Sequence, residues 1–372
     1  MAVINQFVGI RNTSPIRSIS NNALVDAIDV DIDDEGILTR RHGYPVRTHI
    51  PGITSAYATF DQICYIVKDG MLCGLDDSLT PAPLYPSEAS EFCDFGKVLF
   101  TNDGLKVHEG KVFDLKVPVP SSPPSLSVAS GDYVAGEYNV VYCYRSLTTG
   151  LEGGSSPTAS ITIPENSRAV IDQALPIPGY EASYYMTEAG GSVYYAPDGS
   201  QLNPVQVVSD PFPELVDKVA YFEASLYVSV PLSNGSTQVL FSVPFYHHLF
   251  DYTRNYFIVQ GEIRAMMPAQ DSLIIGTDSA IYAYSGTLTR LTDYGIPRGR
   301  AFTKAPDGSV IMFTNRGVCV AMPFNNLTEA RALFAHGGNC STALVLQDGI
   351  VKFVALSDGS GMPYNHRVSP AF

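Results

Sequence analysis

Acidic side chains at every second position are the first pattern with chemical potential. In Asn22–Tyr44 (NALVDAIDVDIDDEGILTRRHGY), Asp29, Asp31 and Asp33 alternate with Ile28, Val30 and Ile32, and Asp34 and Glu35 follow. An Asp-x-Asp-x-Asp run opens an EF-hand loop, whose oxygens surround calcium. That loop needs glycine sixth and a bidentate glutamate twelfth; Asp34 and Arg40 occupy those places. The run therefore predicts a half-buried strand with carboxylates outward, a turn at Asp34-Glu35-Gly36, and a return strand from Ile37-Leu38-Thr39.

His247-His248 is the one histidine pair. Neighbouring residues of a strand point to opposite faces, so a regular strand cannot offer both rings to one metal. Paired carboxylates such as Asp33-Asp34 and Asp76-Asp77 fall in turns, where Asp bonds to nearby backbone. The chain has no G-x-S-x-G elbow, H-E-x-x-H, Walker loop or G-x-G-x-x-G. The S-x-D-x-G-x-T-W repeat of sialidases is missing, and with no Trp any sugar platform would fall to the 22 Tyr. The sequence predicts no enzyme, no metal and no cofactor.

The elements around these residues follow a repeated phrase. Lys97–Gly110 (KVLFTNDGLKVHEG) reads as a short strand, a turn at Asn102-Asp103-Gly104, and a second strand alternating from Leu105 and Val107. Ser309–Pro323 (SVIMFTNRGVCVAMP) repeats the Phe-Thr-Asn-x-Gly core. Ser272–Gly286 and Gln62–Asp76 follow the same plan, and Ala224–Val230 and Gly349–Leu356 echo it. Successive units lie about 35 residues apart, the length of one propeller blade. Ala-Pro-Asp-Gly-Ser occurs at Ala196–Ser200 and Ala305–Ser309 and predicts a hairpin turn at each.

Composition agrees with an all-β chain. Hydrophobic residues make up 45% of 372 residues, enough for a substantial core, while 31 Gly and 26 Pro cut any helical periodicity short. The net charge of −14 excludes a duplex-gripping protein, which needs a basic face to displace counterions. It allows a wall past which DNA slides. The six cysteines form no C-x-x-C pair and sit mostly in apolar runs, as buried thiols of a protein folded in a reducing cytoplasm. MAVINQFVGIRNTSP lacks the regions of a signal peptide, and no apolar run could span a bilayer.

The predicted fold class is all-β: a β-propeller of about 5–6 irregular blades with an inserted β-sandwich. Residues 1–20 read as an N-terminal arm, 21–117 as the first propeller segment, 118–205 as the insert, 206–356 as the second propeller segment and 357–372 as an irregular tail. The insert starts at a Pro/Ser linker, VPVPSSPPSLS, which cannot join a central strand. Pro118–Val205 has eight acids, two arginines and no lysine. An acidic domain of that kind suits docking to a partner.

Two motifs resemble a known family. Ile28–Tyr44, D-x-D-x-D-x-x-G-x-L-x-R-R-x-G-Y, resembles the N-terminal segment of propeller proteins in bacteriophage tails. Gly136-Glu137-Tyr138, Tyr142-Cys143-Tyr144, Thr149–Gly153 and Ser155-Ser156-Pro157 resemble immunoglobulin- or fibronectin-like insertions in such proteins. The whole is similar to the tail nozzle, or hub, of short-tailed phages. The resemblance implies a structural virion protein, assembled in the host bacterium's cytoplasm as a homo-oligomeric ring, typically of six copies. The ring would lie below the head–tail adaptor, against portal-side proteins and tail fibres, and enclose the channel that retains and guides the genome until ejection. DNA would pass without sequence-specific binding. Asp29, Asp31, Asp33, Asp34 and Glu35 would face this channel or an adjoining subunit. Competing readings are a monomeric receptor- or carbohydrate-binding propeller with an aromatic pocket, which binding on a glycan array would reveal, and a propeller hydrolase.

Charge reversal at those five acids is expected to slow DNA release without impairing assembly, and unchanged ejection kinetics would count against a channel-facing hairpin.

Overall fold

The computed structural model describes residues 30–32, 38–40, 49–59, 61–172, 177–305, 307–328, 339–347, 350–357 and 364–368. Strands β1 (Val30–Ile32) and β2 (Leu38–Arg40) form an antiparallel hairpin with Asp31 opposite Thr39. They fall within the strand and return strand expected there. A four-stranded meander follows, of β3 (Ile53–Ala58), β4 (Cys64–Lys68), β5 (Met71–Leu75) and β6 (Pro81–Pro86). A second consists of β7 (Phe92–Phe95), β8 (Val98–Thr101), β9 (Leu105–His108) and β10 (Lys111–Asp114).

The next segment is built differently. Strand β11 (Leu126–Ser130) pairs only with β15 (Ser167–Ile171) among the described strands. The eleven-residue β12 (Gly136–Ser146) is the centre of a five-stranded sheet, pairing with β13 (Glu152–Ser155), β14 (Ala159–Ile163) and β16 (Tyr180–Thr187). Strand β17 (Tyr194–Tyr195) pairs with β16, and Pro204–Val208 forms a 3₁₀ turn capped by the Asn203 side chain. Meanders then resume.

One sheet holds β18 (Val219–Phe222), β19 (Ser225–Pro231), β20 (Ser236–Val243) and β21 (Tyr246–Phe250), with β22 (Tyr256–Gln260) also on β20. The next holds β23 (Ile263–Ala269), β24 (Ser272–Thr277), β25 (Ile281–Tyr284) and β26 (Leu288–Thr292). Short β27 (Arg298–Arg300) precedes a meander of β28 (Phe302–Lys304), β29 (Val310–Thr314), β30 (Gly317–Val320) and β31 (Asn325–Asn326). The last sheet contains β32 (Asn339–Gln347), β33 (Ile350–Ser357) and β34 (Tyr364–Val368), with β27 joining it parallel to β32. Strand β34 departs from the irregular tail expected there: Tyr364–Val368 pairs with β33 despite its Gly-, Ser- and Pro-rich flanks.

The described residues contain no α-helix, and no helix long and apolar enough to cross a membrane. The chain divides into two compact units. One comprises Met1–Ile50, Ser233–Thr237 and Val259–Phe372; the other comprises Pro51–Leu232 and Gln238–Ile258. The first has a core of inward residues of β23–β33, including Ile274, Ile281, Val310, Met312, Val318 and Phe353. In the second, Phe100, Leu115, Phe212, Leu226, Val228 and Phe250 form one cluster, and Val67, Leu72, Leu99 and Val107 belong to another. None of the six cysteines is in a disulfide; five are buried and Cys64 is half-buried.

The repeated Phe-Thr-Asn-x-Gly phrase has a physical basis. Thr101, Thr277 and Thr314 end the second strands of their meanders and are fully buried. Each hydroxyl supplies a hydrogen-bond partner to peptide groups of the turn that follows. Thr314 Oγ1 donates to Gly317 O (2.8 Å) and accepts from Arg316 N (3.1 Å). Thr277 Oγ1 donates to Ala280 O (3.1 Å) and accepts from Ala280 N (3.0 Å). Thr101 Oγ1 accepts from Leu105 N (3.0 Å), across a turn in which Gly104 has φ of +84°.

The residue after Thr reaches outward. Asn102 Oδ1 accepts from Ser90 N and Glu91 N (both 3.1 Å), and its Nδ2 donates to Val216 O (3.0 Å). Asn102 thus ties the approach to β7 to the approach to β18, across the whole intervening segment. Within the other unit, Asn315 Oδ1 accepts from Gly295 N (3.1 Å). The two Ala-Pro-Asp-Gly-Ser sites close alike: Ala196 N donates to Ser200 O and Ala305 N to Ser309 O, both at 2.8 Å.

Thr314→Val keeps the side-chain shape but removes the hydroxyl's bonds to Gly317 O and Arg316 N, so unfolding free energy should fall by about 0.5–1.5 kcal/mol, against less for Thr314→Ser. Urea midpoints of the two variants check this.

Candidate functional site

Three places carry polar groups of chemical interest, and the first is the acidic hairpin. Asp31 lies in β1, opposite Thr39 in the ladder. Asp29, Asp33, Asp34 and Glu35 lie outside the described residues.

The second place is a half-buried carboxylate on β13. Arg145 of β12 stands in register with Glu152 of β13 on one side and Glu181 of β16 on the other. Tyr185 Oη donates to both oxygens of Glu152, at 2.7 and 2.9 Å. The Cys143 thiol and the Gln206 side chain also hydrogen-bond to this carboxylate. Burial raises the Glu152 pKa above the usual carboxylate range; Tyr185, Arg145, Cys143 and Gln206 pull it down, more weakly. Burial likewise pushes up the Cys143 thiol and the Tyr185 phenol, and the Glu152 charge reinforces both shifts.

The backbone of the same strand is seated as tightly. His248 Nε2 lies 2.9 Å from Glu152 O, and Gln206 Nε2 donates to Gly153 O at 3.2 Å. A Cβ on Gly154 would overlap the Ser209 carbonyl oxygen, and one on Gly153 would sit 3.0 Å from Pro118 O. The Leu151-Glu152-Gly153-Gly154-Ser155 run therefore marks a seam. Here β13 rests on the chain entering the five-stranded sheet, on the 3₁₀ turn leaving it, and on β21. Both carboxylate oxygens are engaged by Tyr185, which holds β13 against β16.

The third place is one face of the β7–β10 sheet. Cross-strand register sets Phe95, Val98, His108 and Lys111 in one row, and Cys93, Phe100, Lys106 and Phe113 in the next. Asp94 and Asp114 fall in rows of the opposite face. Phe95 is 60% exposed yet stacks on Tyr221 with centroids 4.5 Å apart. His247 packs edge-on against Phe100 at 4.9 Å and beside Tyr221 at 5.6 Å. Lys106 Nζ lies 5.8 Å from the Phe113 centroid, and burial lowers its pKa.

His247 and His248 thus face different surroundings, the first these aromatic rings and the second the Glu152 carbonyl. Burial, with a smaller contribution from Lys106, lowers the His247 pKa to about 4; burial also lowers that of His248. Among the described residues, no three His, Cys, Asp or Glu side chains gather as metal ligands.

Sequence reasoning did not single out Tyr185, Gln206 or the basic row. Lys106 and His108 at alternate positions, followed by Lys111 beyond a Glu-Gly turn, were the available signal.

No family model and no curated protein matches this chain. Solved structures with similarity include the extracellular domain of a B. thetaiotaomicron protein described as a hybrid two component system: 8% identity, 84% of this chain, TM-score 0.33. Another is BBS1N in complex with ARL6DN, with 11% identity, 87% of this chain and TM-score 0.34. A third is virginiamycin B lyase from Staphylococcus aureus, with 10% identity, 81% of this chain and TM-score 0.32. The chain spans 38% of the first, 94% of the second and 91% of the third. Likeness at such scores carries no argument about this chain's activity.

Glu152 favours its protonated form in the fold, so its contribution to stability is present below the ordinary value of 4.5 and lost as pH rises through the raised value. Glu152→Gln keeps an acceptor for Tyr185 without the charge. Its melting temperature should match wild type near pH 4 and exceed it at pH 7–8, and melting curves across that range check this.

Proposed function

We propose that this chain is a structural subunit of a phage tail, a nozzle or hub ring below the head–tail adaptor that lines a stretch of the DNA exit channel. In this reading the four-stranded sheets are propeller blades, residues 118–205 are an inserted sandwich, and the ring is a closed homo-oligomer. The carrying observation is the run of four-stranded antiparallel meanders, interrupted by one segment of different build between β10 and β18.

Further support comes from chemistry. The half-buried carboxylate of Glu152 is engaged by Tyr185 in holding a strand. A charge of −14 suits a conduit from which DNA must leave without sticking. Reduced cysteines suit assembly in a bacterial cytoplasm. The acidic hairpin of β1 and β2 is the segment for which the reading proposes a place at the channel or at a neighbouring subunit.

Quantitative mass spectrometry of purified particles, referenced to the major capsid protein, tests the reading. About six copies per virion are expected for a single ring. Absence of the chain from particles would overturn the assignment and turn attention to receptor or glycan binding.

A further inference from the structure

The same compact unit carries two exposed surfaces of opposite chemistry. One is the end of the β7–β10 sheet at its β7–β8 and β9–β10 turns. Cys93 and Phe100 of the same face are buried in the core, while Phe95, Lys97, His108 and Lys111 are exposed at this end and Lys106 follows, half-buried, on β9. In a chain of net charge −14, these residues form a basic patch beside an aromatic ring held outward by its stack on Tyr221. Glu109, exposed in the β9–β10 turn at the same end, is outnumbered by Lys97, Lys106 and Lys111.

The other surface is the far end of β12, around residues 131–137. Val134 is 72% exposed there, with exposed Asp132, Glu137 and Glu188 about it. The tip is firmly built. Tyr138 Oη donates to Val134 O (2.8 Å), Tyr133 N to Ser167 O (3.0 Å) and Gly190 N to Glu137 O (2.8 Å). Arg168 lies beside Gly131, and the other arginine of the segment, Arg145, is set between Glu152 and Glu181, so acids prevail at this end. Counting residues of β12 at the strand rise, the tip stands about 33 Å from Ser146. Near Ser146 the sheet rests on the body of the unit, where Tyr180 Oη donates to Lys116 O.

Phe95 and Val134 are both exposed in the single chain, so the two surfaces do not meet within it. Their charges are opposite and each has an apolar centre. We propose that the acidic, Val134-bearing tip of one copy docks on the basic, Phe95-bearing end of the next. Such a head-to-tail contact uses two different surfaces and generates a ring when the rotation between copies closes. The inference rests on the ring reading above and assigns its subunit contact.

Sedimentation velocity of the full chain across a concentration series tests it. Wild type is expected to self-associate. Lys97→Glu with Lys111→Glu should weaken association about tenfold or more, as should Asp132→Lys with Glu137→Lys. An equal mixture of the two variants should recover it, because each reversed surface then meets its complement. Val134→Ser, which leaves charge unchanged, should also weaken association, and circular dichroism verifies that each variant is folded. A wild type that stays monomeric, reversals without effect, or a mixture no stronger than its components would overturn the contact. Such a failure would leave the copy number in particles standing, whereas absence from particles would remove the tail assignment and leave the contact.

Discussion

A buried hydroxyl at the turn between the second and third strands is the constraint on which three of the meanders depend. A tight turn at the end of a buried strand carries peptide groups away from water, and they must find partners. Thr101, Thr277 and Thr314 supply one from within the turn, so each return strand can start at once. The next side chain is then free to reach outward. Asn102 does so toward the start of its own sheet and of β18, and Asn315 toward Gly295. A two-residue phrase thereby settles both how a sheet folds on itself and what it is fastened to.

Electrostatics in the second unit are shaped by desolvation more than by pairing. Glu152 is held by neutral donors and one cross-strand arginine, and burial still leaves the carboxylate costly to ionise. His247 and His248 are disfavoured as cations for the same reason. The signs oppose each other: acid neutralises Glu152, to the benefit of the fold, while charging the two histidines costs stability as pH falls below their ordinary value of 6.5. Neutral pH is where the histidines are comfortable and the carboxylate is not.

The all-β character and several hairpins were legible because period-2 alternation and turn chemistry are local. Phe-Thr-Asn-x-Gly marked β8–β9 and β29–β30, and the Pro-Asp-Gly-Ser turns lie where expected. Strand β34 escaped notice because a five-residue outer strand among Gly, Ser and Pro lacks a core of its own and draws its order from pairing with β33. The Glu152 surroundings escaped because their members come from five places along the chain, and no spacing rule joins Cys143, Glu152, Tyr185, Gln206 and His248. What sequence could show was that Leu151–Ser155 is unusual. That its two glycines make room for foreign carbonyls required neighbours in space.

The seam on β13 bears on how such a protein can be recombined. A segment entered through a Pro/Ser linker looks like a cassette to be exchanged between chains by cutting at its ends. Yet Gln206, Ser209 and His248 lie at or beyond its downstream border, and they supply the partners and the surface on which Glu152, Gly153 and Gly154 rest. A transplant carrying only residues 118–205 would arrive with a half-buried carboxylate short of a donor and two glycines facing an ill-fitting wall, each an unrepaid desolvation or packing loss. The piece that could be exchanged is therefore longer than residues 118–205. It extends through the 3₁₀ turn and includes a histidine some forty residues downstream, so successful exchange would be confined to hosts already bearing that histidine and that turn.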